Sequence, residues 1–313
     1  MPLNCARSLW GNDFMKQCDF VGLGFCSNDY LVLLPGIPID SKVQMLEHLV
    51  QGGGPAATST VAAARLGMSA AFIGMVGDDE PGKWILRDFE AEHVETGAVL
   101  VRENCTSAIA YCWIEAATGK RSVAWTRGNL TEVLPEEVDM ELIRQAKILH
   151  LDGHNPKAAL AAAVEARKYG VTVCLDAGTL RDGIPELLPY VDLLIASEAF
   201  ARQYSGENDL DKAIYKLAET GAGVVGVTMG ELGSMTLENG RILRCPAFRI
   251  TPVDTTGAGD VYHTGFEVRY LETRDLMECM RFGAAVSALK CLKLGGRAGI
   301  PTRAQVDEFL KNN

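Results

Sequence analysis

The segment Asp254-Thr-Thr-Gly-Ala-Gly-Asp260 combines residue types suited to handling a negatively charged group. It precedes a helix-like stretch at 261–271, so its backbone N–H groups can converge at a helix N-terminus. Gly257, Ala258 and Gly259 let that backbone approach an anion closely, and the helix dipole favours negative charge there. Asp260 then stands where an anion binds, an electrostatic cost unless the carboxylate has a task. Taking a proton from an attacking hydroxyl is such a task; the alternative is an aspartate that caps the helix. A second signal is Gln51-Gly-Gly-Gly-Pro-Ala-Ala-Thr58, three glycines leading into a small-residue helix at 56–66 that ends at Gly67. Such a run suits a hinge or a tight backbone approach to a polar ligand, with a plain loop-to-helix entry as the alternative.

Three further glycine patterns do not carry chemistry. Gly22-x-Gly24-x-x-Ser27 lacks the third glycine of a dinucleotide fingerprint, and Asp29-Tyr30-Leu31 does not open a helix. Gly221-x-Gly223-x-x-Gly226 has the letters but precedes a strand, leaving a phosphate no helix N-terminus to sit on. In the segment 77–84, Trp84 offers no hydroxyl to Mg²⁺ and three acids would repel phosphates. Asp78, Asp79 and Glu80 are instead expected to cap a helix starting near Pro81, with Ile85 and Phe89 on its apolar face.

The elements that must position these residues follow from periodicity. Runs at 148–152 (ILHLD), 171–176 (VTVCLD), 192–197 (DLLIAS) and 224–229 (VVGVTM) read as strands buried on both faces. Helix-like stretches at 156–169, near 185–190 and at 209–219 separate them, with Gly170 and Gly221 where C-caps belong. This alternation predicts an α/β fold: a doubly wound, mostly parallel sheet with helices on both faces. Two stretches break the rhythm. Residues 106–115 alternate with period two, turn at 117–120 and resume at 121–126, as a hairpin does, and 29–50 is irregular with a strand-like LVLL at 31–34. They predict a small β lid over the site, from segments of about 29–50 and 105–128 inserted in a domain spanning 19–313. Residues 1–18 read as a polar tail.

Composition narrows the function classes. The 313 residues carry 30 basic and 40 acidic side chains, a net charge of −10 that argues against nucleic-acid and anionic-membrane partners. No apolar run approaches the ~18 residues a membrane span needs. Nine cysteines are odd in number, scattered and never spaced C-x-x-C, which fits reduced thiols acting as small hydrophobes and a cytoplasmic location.

Both signatures together resemble the ribokinase/PfkB family of carbohydrate kinases, over nearly the whole chain from about residue 19 to 311. The matching stretches are GGGPAATSTVAAARLG followed by FIGMVGDDEPG, and DTTGAGDVYHTGF with Thr228-x-Gly230-x-x-Gly233 upstream. The resemblance implies a ribokinase-like core and a β lid, with ATP and Mg²⁺ as cofactors. It implies Asp260 as catalytic base and Gly257, Ala258 and Gly259 as anion hole. Asp29, with Gly53 and Gly54 as a di-glycine hinge, would hold the sugar, and Asp152 falls where the family places a substrate-side acid. Thr228, Gly230, Gly233 and Thr256 would line the nucleotide, and Asp254 and Thr256 match positions that often hold a monovalent cation such as K⁺.

The sequence departs from the family pattern in two places. Ala57 or Thr58 stands where a substrate asparagine is usual, and the N-x-x-E metal motif reads Ser197-Glu198-Ala199-Phe200, leaving Glu198 as the Mg²⁺ candidate. LDGHNP at 151–156 resembles ketohexokinase-like members, and GGGPAAT and ALKC…GGRAGIP resemble sulfofructose kinases. The expected reaction is transfer of the γ-phosphate of ATP to a primary hydroxyl of a ketohexose-like sugar. The alternatives are a ribokinase or adenosine-type nucleoside kinase and, more distantly, a non-catalytic sugar-binding protein. Lys42, Trp125, Arg127 and His154 lie on stretches expected near the sugar, where cations would suit a phosphorylated or sulfonated substrate. His263, at i+3 from Asp260, reads as a packing residue. Ile109 and Trp113 would offer apolar lid faces for a homodimer.

Overall fold

The apolar run at 148–152 becomes a strand whose side chains enter two cores: Ile148 packs on one face of the sheet, Leu149 and Leu151 on the other. A strand covered on both sides presents apolar residues to both faces, which is why these runs are nearly continuous, His150 being the polar exception in this one. The computed structural model describes residues 18–313. The tail expected at 1–18 lies outside the described residues except for Cys18.

In chain order the strands are β1 (Phe20–Leu23), β2 (Ser27–Leu34), β3 (Glu47–Gly53), β4 (Ala70–Gly77), β5 (Val94–Glu95), β6 (Val99–Arg102), β7 (Ile109–Glu115), β8 (Arg121–Thr126), β9 (Ile148–Leu151), β10 (Thr172–Ala177), β11 (Leu193–Ser197), β12 (Val224–Thr228), β13 (Ser234–Glu238) and β14 (Arg241–Cys245). The helices are α1 (Pro55–Arg65), α2 (Glu80–Ala91), α3 (Met140–Arg144), α4 (Pro156–Lys168), α5 (Ile184–Leu187), α6 (Glu198–Ser205), α7 (Leu210–Ala218), α8 (Ala258–Thr273), α9 (Leu276–Lys290) and α10 (Arg303–Asn312). The main sheet runs β14-β13-β12-β11-β10-β9-β1-β4-β5, with β6 beside β4. It is parallel from β12 to β5, and an antiparallel hairpin, β13–β14, closes one edge. Side chains of α4, α6 and α7 fill one core, and those of α1, α2, α8, α9 and α10 fill the other.

The lid is a second, four-stranded sheet in the order β3-β2-β7-β8. The expected hairpin is present, with Ile109 opposite Thr126, and 31–34 is the end of β2. Of the acidic run, Asp79 alone caps α2, accepting from the Gly82 N–H at 2.9 Å and from the Ser107 N–H and hydroxyl, while Glu80 pairs with Lys83 on the surface. The 22–27 segment leads into β2 and the 221–226 segment into β12, so neither opens a helix. The eight described cysteines are all free thiols.

Candidate active site

Helix α8 begins at Ala258, three residues earlier than periodicity suggested, so Asp260 lies inside its first turn. The N-cap is Gly257, at φ 74, and no side chain caps the end. Asp260 therefore does not cap the helix; the Ala258 N–H donates to the Thr255 carbonyl at 3.2 Å, while the Gly259 and Asp260 N–H groups of the first turn remain open to an anion. No atom lies within 4 Å of where a Cβ on Gly259 would be, so this side of the turn is free. The half-buried Asp260 carboxyl is pushed up to about 6 by burial. Asp176 adds repulsion, and His263, Arg121 and His150 act in the opposite direction. The Asp260 carbonyl accepts from the Ser59 hydroxyl at 3.1 Å and the Thr264 hydroxyl at 3.2 Å, tying α8 to α1 and thus to the glycine run.

That glycine run makes room for side chains. A Cβ on Gly53 would sit 1.9 Å from Asp29 Oδ2, and one on Gly52 would collide with the Arg297–Asp88 ion pair. Arg297, buried, donates to the Gly53 carbonyl at 3.3 Å and so fixes the strand behind the hinge. Gly54 is the N-cap of α1 at φ 94, a conformation that favours glycine. Asp29 accepts from the Ser27 hydroxyl at 2.5 Å. Burial pushes its carboxyl up to about 6 against the pull of Ser27 and Arg297, and the negative charge of Asp260 adds to the rise. Asp29 thus lies against Gly53 and close enough to Asp260 for the two carboxyls to repel. Arg121, at the start of β8, donates to the Thr255 carbonyl at 3.3 Å and hydroxyl at 3.2 Å, joining the lid to the loop that leads into α8.

A buried ionisable layer lies beneath Asp260. His263 Nε2 is 3.2 Å from Asp176 Oδ1, and His150 Nδ1 is 2.8 Å from Glu267 Oε1. Burial favours the neutral form of both members of the first pair, lifting Asp176 to about 7 and lowering His263 to about 4. For His150 burial acts downward, but the charge and hydrogen bond of Glu267 outweigh it and hold the imidazole at about 9.

The pfkB family carbohydrate kinase model matches residues 34–303. The chain belongs to the pfkB family of carbohydrate kinases. It is a phosphotransferase with the ribokinase-like fold, and its activity is that of an ATP-dependent sugar kinase. It is 29% identical to the ribokinase of Haemophilus influenzae over 93% of this chain and 97% of that protein. It is 31% identical to the ATP-dependent ribose-1-phosphate kinase of Halopiger xanaduensis over 87% of this chain and 90% of that protein. The Arabidopsis thaliana ribokinase structure complexed with ribose and ATP superposes with a TM-score of 0.81 at 26% identity, covering 94% and 99% of the two chains.

The structure gives each remaining candidate residue of this kinase a defined place and set of partners. The Asp152 carboxylate accepts from the backbone N–H groups of Phe25 at 2.8 Å, Ala56 at 3.2 Å and His154 at 3.0 Å, so it ties the loops after β1 and β9 to the first turn of α1. Lys42 is exposed on the connection between β2 and β3 and is not drawn to Asp29 or Asp260. Thr228 ends β12, and Gly230 (φ 58) and Gly233 (φ 91) shape the turn after it. Glu198 starts α6 and pairs with Arg202 at 2.8 Å. Among the described residues no group of three or more His, Cys, Asp or Glu side chains could hold a metal. The monovalent-cation position fits poorly. Asp254 Oδ1 is engaged by the Thr256 N–H and hydroxyl, and Oδ2 by the Gly295 N–H. The buried Lys290 ammonium already donates to the Asp254 carbonyl at 2.9 Å. Asp176, His150, Glu267 and Arg181 were missed from sequence; a polar residue inside an apolar strand, such as the His of ILHLD, was the available signal. Among the described residues no helix is long and apolar enough to cross a membrane.

Proposed function

We propose that this kinase moves the γ-phosphoryl group of ATP to a primary hydroxyl of a small sugar held between Asp29 and Asp260. The hydroxyl oxygen attacks phosphorus, the bond to the bridging oxygen of ADP breaks, and the hydroxyl proton passes to Asp260. The observation that carries this reading is Asp260 in the first turn of α8, beside an uncapped helix N-terminus. With its carboxyl at about 6 it is ionised at pH 7 yet more basic than an ordinary carboxylate. The N–H groups after Gly257 and the Arg121 guanidinium would take up charge on the transferred group. Thr228, Gly230, Gly233 and Thr256 are proposed to line the nucleotide, with Mg²⁺ on its phosphates.

For the acceptor, the ribokinase and the ribose-1-phosphate kinase among the relatives back a pentose-type sugar better than the ketohexose expected from sequence. The test is an ADP-release assay with Mg·ATP across pentoses, ketohexoses, phospho- and sulfo-sugars and nucleosides. Turnover on a sugar well above the ATP-hydrolysis background supports the reading; turnover on nucleosides alone, or a flat panel, overturns it. Lid pairing into a homodimer through the row containing Ile109 and Trp113 is part of the same proposal, and sedimentation equilibrium tests it.

A further inference from the structure

On the reading that this chain phosphorylates a small sugar, we propose that the sugar also carries an oxyanion, a phosphate, sulfonate or carboxylate, seated among Arg127, His154 and Arg181. Arg127 Nη2 donates to the His154 carbonyl at 3.4 Å and lies 3.4 Å from His154 Nδ1, and Arg181 Nη2 lies 3.3 Å from His154 Nε2. A guanidinium only donates, whereas a neutral imidazole has one N–H and one acceptor nitrogen. One of the two contacts therefore always sets a donor against a donor, and protonating the ring would make both do so. An oxyanion resolves the conflict by accepting from the arginines and from the ring N–H at once.

The charges agree with this. Among the described residues neither guanidinium reaches a carboxylate, whereas Arg65, Arg102 and Arg297 are each paired with one. His154, 8% exposed, is held below its usual pKa by burial and by both arginines, with Asp152 and Glu132 opposing. The three side chains line a cleft of about 530 Å³ that also includes Lys157. Glu132, Asp182 and Glu186 line it as well, but all three are exposed.

The cluster is built into the sugar-binding end of the fold. His154 stacks on Phe25 with ring centroids 4.7 Å apart, and the Arg127 guanidinium lies 5.6 Å from the Phe25 centroid. Trp125 of the lid meets the His154 ring edge-on at 6.1 Å. Asp152 fixes both Phe25 and His154 through their backbone N–H groups. Phe25 immediately precedes Cys26 and the strand bearing Asp29, so the oxyanion would sit at one end of an acceptor whose reacting hydroxyl faces Asp260.

Two measurements test this. The first compares kcat/KM for matched pairs, ribose against ribose 1-phosphate and fructose against its 6-sulfo and 6-phospho analogues and 2-keto-3-deoxygluconate, in wild type, Arg181→Ala, Arg181→Lys and Arg127→Gln. We expect one anionic sugar to exceed its neutral counterpart by about 100-fold, the ratio collapsing in Arg181→Ala and Arg127→Gln and recovering in part in Arg181→Lys. The second is calorimetric titration of the ATP-free protein with inorganic sulfate, in which the Arg181→Ala variant should lose one binding event. Equal use of neutral and anionic sugars overturns the anionic acceptor while leaving the kinase intact. A flat sugar panel with arginine-dependent sulfate binding overturns the sugar-kinase reading instead. Sulfate binding unaffected by Arg181→Ala removes the site.

Discussion

His263 Nε2 lies 3.2 Å from Asp176 Oδ1, joining helix α8 to the end of strand β10 one turn beyond Asp260. Asp176 and Asp260 are two carboxyls in one poorly solvated region, raised to about 7 and about 6. They compete for protons, and their titration belongs to the pair. Because the base must be ionised, kcat/KM should fall as pH drops through about 7 to 6. In Asp176→Asn the repulsion on Asp260 is gone, so its pKa falls and the acid limb moves to lower pH. A pH–rate profile checks this, and an unmoved limb would contradict the coupling.

Gly53 holds open the space that the Asp29 carboxylate occupies. A Cβ there would lie 1.9 Å from Oδ2, so Gly53→Ala must displace Asp29 and lower kcat/KM for the sugar by about 100-fold. The loss should fall mainly on KM for the sugar while KM for ATP changes little. Equal effects on both substrates would argue against Asp29 as a sugar ligand.

Lys290 offers a fixed positive charge where related sequences suggested a mobile one. Its ammonium is buried against the Asp254 carbonyl, and burial lowers its pKa. Turnover should therefore be the same in K⁺ as in tetramethylammonium. Lys290→Met should cost ~1–3 kcal/mol of stability by leaving a buried carbonyl unsatisfied, read by denaturant unfolding. Strong activation by K⁺ in the wild type would contradict a built-in cation.

Much of this arrangement was legible from the chain. Continuous apolar runs such as VTVCLD gave the two-sided sheet, and DTTGAGD gave a glycine-rich turn opening a helix with Asp260 at its start. The lid hairpin appeared because period-two alternation in TSAIAYCWIE is local. What escaped depends on contacts between distant segments. His150 meets Glu267 across 117 residues, and nothing near either position announces the partner. His263 was read as packing; it is buried, but against a carboxylate. Asp152 matches the position of a substrate-side acid, but no local pattern announces that its oxygens also accept from the backbone N–H groups of Phe25, Ala56 and His154. Arg181 follows a short strand with no pattern around it, and its meaning appears once Arg127 arrives at the same imidazole from the lid.

The account rests on Asp260 as the proton acceptor. The most direct measurement is single-turnover phosphoryl transfer by Asp260→Asn with saturating Mg·ATP and the preferred sugar, alongside the calorimetric Kd for that sugar. The account predicts a fall of about 10²–10⁴-fold in the transfer rate with the Kd nearly unchanged. Transfer at close to the wild-type rate would contradict it.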